Sequence, residues 1–268
     1  MSAGVDAAPS GTPKDMTRQT PSKPQLAKTI TIYGRKPVLE ALNDSGLLCQ
    51  TLHWASSNRV DGSARALLDA AEARNVERRE HNRETLARIS RNGRQDQGVA
   101  LDIRCPAFAT SEELMALAQN PRARVLALDG ITNPQNVGMI LRSATAGNID
   151  AVLYPRRGVA ALGPLVIKAS AGTAFRAPIA LCDQLTPSLQ TLKESGFVVA
   201  TLQGEAQCSL FEWRQSQATI FVLGGETDGV SAAARALSDV GLRIPMSRGV
   251  ESLNVAVTGA LIAYSSSL

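Results

Sequence analysis

Several chemistries are missing from this 268-residue chain. Its four cysteines, Cys49, Cys105, Cys182 and Cys208, lie far apart and form no C-x-x-C pair. Neither a disulfide framework nor a zinc site is expected, and a reducing cytoplasm is the natural setting. Both histidines, His53 and His81, fall in the N-terminal half, so chemistry in the C-terminal half must work without imidazole. No apolar run reaches the roughly 18 residues of a membrane span. The N-terminus lacks the apolar core of a signal peptide. The Gly-rich stretch FVLGGETDGVS (221–231) is not G-x-G-x-x-G, and no G-K-[ST] follows it. NAD-linked chemistry and nucleotide hydrolysis therefore lose support.

What is present describes a globular α/β protein, with an apolar fraction of 44%. The net charge of +4 is unevenly placed: residues 1–104 hold 16 Lys/Arg against 12 Asp/Glu, and residues 105–268 hold 12 of each. Arginines crowd one segment, Arg74, Arg78, Arg79, Arg83, Arg88, Arg91 and Arg94, and such a cluster suits nucleic acid because Arg pairs bidentately with phosphate. Glu72, Glu77, Glu80 and Glu84 are interleaved, however, and at helical spacing they would pair with the arginines on a solvated face. On charge alone the solvated face is the better reading.

Residues 1–28 are rich in Ser, Thr, Pro, Ala and Lys without apolar period and read as a disordered tail. From 29 to 104 a small α/β domain is expected: a turn and helix in YGRKPVLEAL (33–42), a strand at 48–55, helices at 63–75 and 82–91, and a strand at 98–104. Residues 105–121 hold one short helix between prolines and read as a linker with little core of its own. From 122 to 268, short apolar runs (VLALDG, AVLYP, RAPIA, FVVATL, TIFVLGG) alternate with helical stretches ending near Gly or Asn. That pattern is a mostly parallel sheet covered on both faces, whose ligands bind outside the carboxyl ends of the strands.

Three unusual segments each follow a strand. In DGITNPQNVGMILRSA (129–144), Asn136 and Arg142 are six residues apart, an offset of about 120° on an ideal helix, and both can still reach one pocket if Asn136 lies in the loop before the helix. In 221–231, glycines surround Glu226 and allow close approach to the main chain. In IPMSRGVESLNVAVTGALIAYSSSL (244–268), Ser252 and Asn254 precede an apolar run of helical length. Each has a plainer reading: Asn136, Glu226, Ser252 and Asn254 as helix caps, and Arg142 as a surface residue.

Together and in this order, the three segments resemble the motifs of the SpoU (TrmH-type) RNA 2′-O-ribose methyltransferases of the SPOUT superfamily. KASAGTAFRAPI (168–179) is similar to the stretch usual between the first two motifs, and YGRKPVLEAL with QGVALDI resembles the family's N-terminal substrate-binding domain. Two departures are visible. Asp96 stands where the family often has His, and Thr227 and Asp228 follow Glu226 where a basic residue is common.

The resemblance implies a C-terminal SPOUT domain whose parallel sheet is closed by a trefoil knot, behind a small N-terminal α/β RNA-binding domain. It implies an S-adenosylmethionine pocket walled by Leu223, Gly224, Gly225, Ile244, Met246, Ser252 and Leu253, with no metal. It also implies catalytic roles for Arg142, Asn136, Glu226, Ser252 and Asn254, a homodimer joined through the knotted domain, and an RNA substrate, 23S-type rRNA ahead of tRNA. The family gives the Arg142 counterpart the task of managing the hydroxyl proton. A guanidinium stays protonated in proteins, so Arg142 is better read as holding the target phosphate and stabilising the developing alkoxide.

Overall fold

The computed structural model describes residues 28–265. The expected tail at 1–28 therefore lies, but for its last residue, outside the described residues.

The N-terminal sheet has four strands, β1 (Thr29–Tyr33), β2 (Leu48–Ala55), β3 (Glu77–His81) and β4 (Val99–Arg104), in the order β1-β4-β2-β3. β4 is antiparallel to both β1 and β2, while β3 lies parallel to β2. Three helices accompany it: α1 (Arg35–Asn43), α2 (Gly62–Ala73), capped by the Asp61 carboxylate, and α3 (Arg83–Ser90), capped by the Asn82 side chain.

The strand β3 falls between the two expected helices, so the charges there do not pair at helical spacing. ERREH has no apolar residue to bury, and its backbone becomes a strand because β2 offers it a free edge. Its charges pair two residues apart along the strand, Arg79 with Glu77 at 2.7 Å and Arg78 with Glu80 at 3.3 Å. Arg74 is not a surface charge either. Its guanidinium donates to the carbonyls of Leu42 and Leu47 (3.1 and 2.5 Å) and so closes the C-terminal end of α1.

Residues 105–121 carry more core than a linker. Cys105 and Phe108 are fully buried in one core, and Leu114 is buried in the other, on α4 (Ser111–Ala116), which starts with a Thr110–Glu113 capping box. The Ala109 N–H donates to the Ile179 carbonyl at 2.8 Å, tying the segment to the edge of the second sheet.

That second sheet has seven strands: β5 (Arg124–Asp129), β6 (Ala151–Pro155), β7 (Ile179–Cys182), β8 (Val198–Leu202), β9 (Cys208–Ser209), β10 (Thr219–Gly224) and β11 (Val240–Arg243). The order is β7-β6-β5-β10-β8-β11-β9, and every pairing is parallel. Period-two alternation divides the central strands between two cores. Leu126, Leu128, Phe221 and Leu223 enter one; Val125, Ala127, Ile220 and Val222 enter the other. The first core is covered by α5 (Pro134–Ala146) and α9 (Val255–Tyr264); the second is covered by α7 (Leu185–Glu194) and α8 (Ala232–Ala236). A short helix α6 (Pro164–Ala169) packs on α5, where a Cβ on Gly138 would lie 2.5 Å from that of Ala169.

Chain order reverses between β5 and β10: β5 runs on to β6 and β7 on one side, and the later strands fill the other. A crevice opens at such a switch point, outside the carboxyl ends of the strands.

Candidate functional site

The loops after β5, β10 and β11 all leave carboxyl ends of strands and meet above that crevice. Gly224 and Gly225 are required there by the chain itself rather than by a ligand. A Cβ on Gly224 would sit 2.0 Å from the Gly229 carbonyl carbon, and one on Gly225 would sit 2.7 Å from the Gly130 carbonyl oxygen. The loop that follows them closes with the Gly229 N–H donating to the Gly225 carbonyl at 3.0 Å, and its far end is held where the Ser231 N–H donates to Asp129 Oδ2 at 2.7 Å.

Three of the expected site residues form one hydrogen-bonded group. Asn136 Nδ2 donates to Glu226 Oε1 at 2.5 Å, Asn254 Nδ2 donates to the same oxygen at 2.9 Å, and Asn254 Nδ2 lies 3.2 Å from Asn136 Oδ1. A carboxylate only accepts, so both amides turn their NH2 groups toward it. Each residue belongs to a different motif segment, and the trio stitches the segments together across 28 to 118 positions of chain.

Local structure frees these side chains for the task. Asn136 is inside α5, not in the loop before it; Asn133 is the cap, accepting from the Gln135 N–H, and Pro134 opens the helix. Asn136 is 3% exposed and faces the core with Val137 and Ile140. Asn254 does both things its position allowed. Its Oδ1 caps α9 by accepting from the Ala256 N–H at 2.8 Å, while its Nδ2 serves Glu226.

The pocket beside this trio has a volume of about 390 Å³, within the roughly 300–1,000 Å³ typical of small-molecule sites. Of the expected walls it includes Leu223, Gly224, Gly225, Ser252 and Leu253, and it adds Leu202, Val230 and Thr258. Ile244 and Met246 are not among its walls: Ile244 packs against the main core and Met246 is exposed. Leu202 was within reach of sequence reasoning, since it ends a strand at the ligand side of the sheet. Thr258 was not, because it reads as one more residue of an apolar helix.

Arg142 stands apart. It is exposed on α5, lines no wall of the pocket, and makes no hydrogen bond or ion pair among the described residues. Six residues beyond Asn136 it is about 9 Å along the helix and about 120° round it. Ser252 is likewise exposed, at the pocket's rim. The lining holds one carboxylate, Glu226, and no cation. Among the described residues no group of three or more His, Cys, Asp or Glu could hold a metal ion.

A parallel α/β sheet with a small polar-and-apolar pocket at its switch point, preceded in the chain by a separate small α/β domain, is an architecture suited to binding a small ligand. Comparison with known proteins makes this specific. Residues 123–264 match the model of the SpoU rRNA methylase family, and residues 31–109 match that of the RNA 2′-O ribose methyltransferase substrate-binding domain. A relative from Mycobacterium avium (strain 104), named an uncharacterized tRNA/rRNA methyltransferase, is 32% identical over 236 residues, 88% of this chain and 76% of its own. One of the same name from Mycobacterium leprae (strain TN) is 32% identical over 248 residues, 91% and 80% of the two chains. Among solved structures, a putative TrmH-family RNA methyltransferase from Porphyromonas gingivalis superposes with a TM-score of 0.57 at 26% identity, covering 89% of each chain. The SpoU methyltransferase AviRb from Streptomyces viridochromogenes, solved with AdoMet, shares the fold with a TM-score of 0.56 at 23% identity over 90% of each chain. The chain belongs to the SpoU family of RNA methyltransferases.

Proposed function

We propose that this protein transfers the methyl group of S-adenosylmethionine to a ribose 2′-oxygen of structured RNA, 23S-type rRNA ahead of tRNA. The observation that carries this reading is the Asn136–Glu226–Asn254 group, which joins the three motif segments beside a pocket of fitting size. The residues present suit the cofactor: Leu202, Leu223, Leu253 and Val230 offer apolar walls, the glycine backbone offers hydrogen-bonding groups, and Glu226 sets a negative charge beside a cationic ligand. When bound, S-adenosylmethionine supplies an already activated methyl group, so the protein's work is mainly positioning.

In this reading Glu226 fixes both amides, and Asn136 and Asn254 hold the first and third motif segments in register. Ser252 at the rim orients the ribose. Arg142, lying outside the pocket, grips the target phosphate and stabilises the alkoxide as it forms, with the proton leaving to that phosphate or to water. The expected trefoil knot belongs to the same reading.

A homodimer is proposed on the chemistry of α9. The helix is apolar all round. Val255, Ala256, Gly259, Ile262 and Ala263 are buried, yet Val257 is 48% and Tyr264 43% exposed. With the half-buried Leu261 these form an i, i+4, i+7 stripe, suited to a second copy. Val257→Asp should turn a dimer into a monomer in sedimentation at micromolar concentration; a wild-type chain fully active as a monomer would refute the dimer.

The reaction itself is tested by incubating the full chain with labelled S-adenosylmethionine and ribosomal RNA or tRNA, then digesting the RNA to nucleosides. Label in a 2′-O-methyl nucleoside is expected, more from ribosomal RNA than from tRNA. Label in a methylated base would overturn the reaction assigned here.

A further inference from the structure

A second cleft lies in the N-terminal domain, far in sequence from the pocket of the parallel sheet. It has a volume of about 900 Å³ and is lined by Arg35, Lys36, Arg59 and Arg83 against one carboxylate, Asp61. Leu39 is the one apolar side chain of its lining; the rest is Ser57, Asn58, Ser63 and Gln97. We infer that this cleft grips the phosphate backbone of an RNA loop, presenting the substrate to the methyltransferase pocket. The inference rests on RNA being the substrate, as proposed above, and adds where and by what chemistry it is held.

The cleft is built, not a chance meeting of flexible charges. Its walls come from separate segments that are braced to one another. The Arg35 N–H donates to Gln97 Oε1 at 2.9 Å, and Asn58 Nδ2 donates to the Gly98 carbonyl at 2.8 Å. Arg35 Nη1 donates to Asp61 Oδ2 at 2.7 Å and to Ser63 Oγ at 2.9 Å. Arg83 lies 3.5 Å from Asp96, a carboxylate 1% exposed that also accepts from Ser90 Oγ and the Gly98 N–H, each at 2.8 Å. Gln97 is held at φ 53, a left-handed conformation costly for a residue with a side chain, and its hydrogen bond to Arg35 fixes it there. Such bracing sets the guanidinium of Arg83 before a ligand arrives, which lowers the entropic cost of binding.

The division of labour among the cations follows. Arg35 is engaged by Asp61 and shapes the wall. Arg59 makes no ion pair among the described residues, and Lys36, 89% exposed, lies 4.0 Å from Glu40, too weak an attachment to hold it. Arg83 is aimed but more than half exposed. Three cations are therefore available to an anionic ligand.

The lining also identifies the part of the RNA. No aromatic side chain is present for a base to stack on, so the contacts are to phosphate and ribose, which Arg, Lys, Ser and Asn supply. A concave cleft admits a turning single strand. An A-form duplex is a convex rod, recognised mostly by shape across its shallow minor groove. The expected ligand is the backbone of a loop or bulge, bound with little regard to base sequence.

The test uses the full chain and a fluorescent RNA hairpin with a single-stranded loop, beside a blunt duplex of the same stem. Anisotropy titrations across a salt series are made for wild type, for Lys36→Ala/Arg59→Ala, and for the charge-matched Arg78→Ala/Arg79→Ala, whose arginines lie outside the cleft. The cleft variant should bind the hairpin about tenfold or more weakly, and its slope of log affinity against log salt should flatten by about 1.4, two contacts at roughly 0.7 each. The matched variant should change far less, and the duplex should bind more weakly than the hairpin to wild type. Equal losses in both variants, wild-type binding by the cleft variant, or a duplex preferred over the hairpin would overturn the inference. If the cleft variant loses affinity as expected but wild type forms no 2′-O-methyl nucleoside, the reaction assignment fails and the cleft stands. If wild type methylates RNA while the cleft variant binds it normally, only the cleft assignment fails.

Discussion

The cleft of the N-terminal domain carries four cations and one carboxylate, whereas the pocket of the seven-stranded sheet carries one carboxylate and no cation. The first is made from side chains on exposed segments, the second from backbone, amides and short apolar residues at strand ends. Contacts of the first kind act through charge, weaken with salt and tolerate sequence variation in the ligand. Contacts of the second kind depend on geometry and on the exclusion of bulk. A reagent that reaches both, such as salt, should therefore weaken RNA binding steeply and leave S-adenosylmethionine binding nearly flat. Arg142, exposed on α5, belongs to neither lining.

Breaking the geometry of the pocket gives the largest effect. Gly224→Ala places a Cβ 2.0 Å from backbone of the opposing turn, which cannot yield as a side chain can. The loop must open, and S-adenosylmethionine affinity measured by calorimetry should fall by about two orders of magnitude, a loss in the few-kcal/mol class of severe core strain. RNA affinity of the same variant should stay near wild type, because the charged cleft is untouched. Loss of both together would show that the two regions are not separate devices.

Removing the anchor of the trio is milder. Glu226→Ala leaves the amides of Asn136 and Asn254 without their shared acceptor, a cost of about 1–3 kcal/mol for a buried unsatisfied group, at the lower end here because Glu226 is exposed. S-adenosylmethionine should bind about tenfold more weakly, and Glu226→Gln, which retains one acceptor oxygen, should recover part of the loss. An unchanged affinity in Glu226→Ala would mean the trio is ornamental.

The smallest expected effect lies in the N-terminal sheet. Thr31 Oγ1 donates to Asp102 at 2.6 Å, His53 Nε2 lies 3.0 Å from the other Asp102 oxygen, and His81 Nε2 lies 3.0 Å from His53 Nδ1. Burial, then the neighbouring His53 and Arg79, hold the His81 pKa below its usual value. A histidine depressed in the folded state binds fewer protons there than when unfolded, so stability is retained above its ordinary pKa and lost as pH falls through it. Melting temperature should decline on acidification from pH 7 to 5, and His81→Gln should flatten that decline. An equal decline in the variant would assign the pH response elsewhere.

The sequence and the structure agree most where apolar period decides. The β2 strand runs over 48–55 as read, and the runs VLALDG, AVLYP and TIFVLGG became neighbouring parallel strands because each is buried on both faces. Where charge decides, the local reading holds for the pairing but not for the geometry. The arginine cluster reads as a solvated face of paired charges, and Arg78, Arg79 and Arg88 do pair with Glu80, Glu77 and Glu84, but Arg74 closes a helix end and two of the pairs lie along a strand. Of that cluster only Arg83 lines the cleft; Arg35, Lys36 and Arg59 come from elsewhere in the chain. The candidate site was legible as three segments but not as a geometry. That Asn136 sits within α5 follows from Asn133 and Pro134 taking the capping positions, a choice Asn136 itself does not reveal. That it meets Glu226 follows from the parallel pairing of strands β5 and β10, distant in the chain, which no local pattern encodes.

The central claim is that Arg142 acts on the transition state of ribose methylation although it lies outside the cofactor pocket. Single-turnover methylation of ribosomal RNA by Arg142→Ala, measured beside its calorimetric affinity for S-adenosylmethionine, tests this most directly. The rate should fall by about two orders of magnitude or more, the scale of losing one charge-stabilising donor, with cofactor affinity nearly unchanged. Arg142→Lys should recover little, because an ammonium lacks the bidentate fork. An Arg142→Ala chain that methylates RNA at close to the wild-type rate would make Arg142 an ordinary surface arginine and contradict the account.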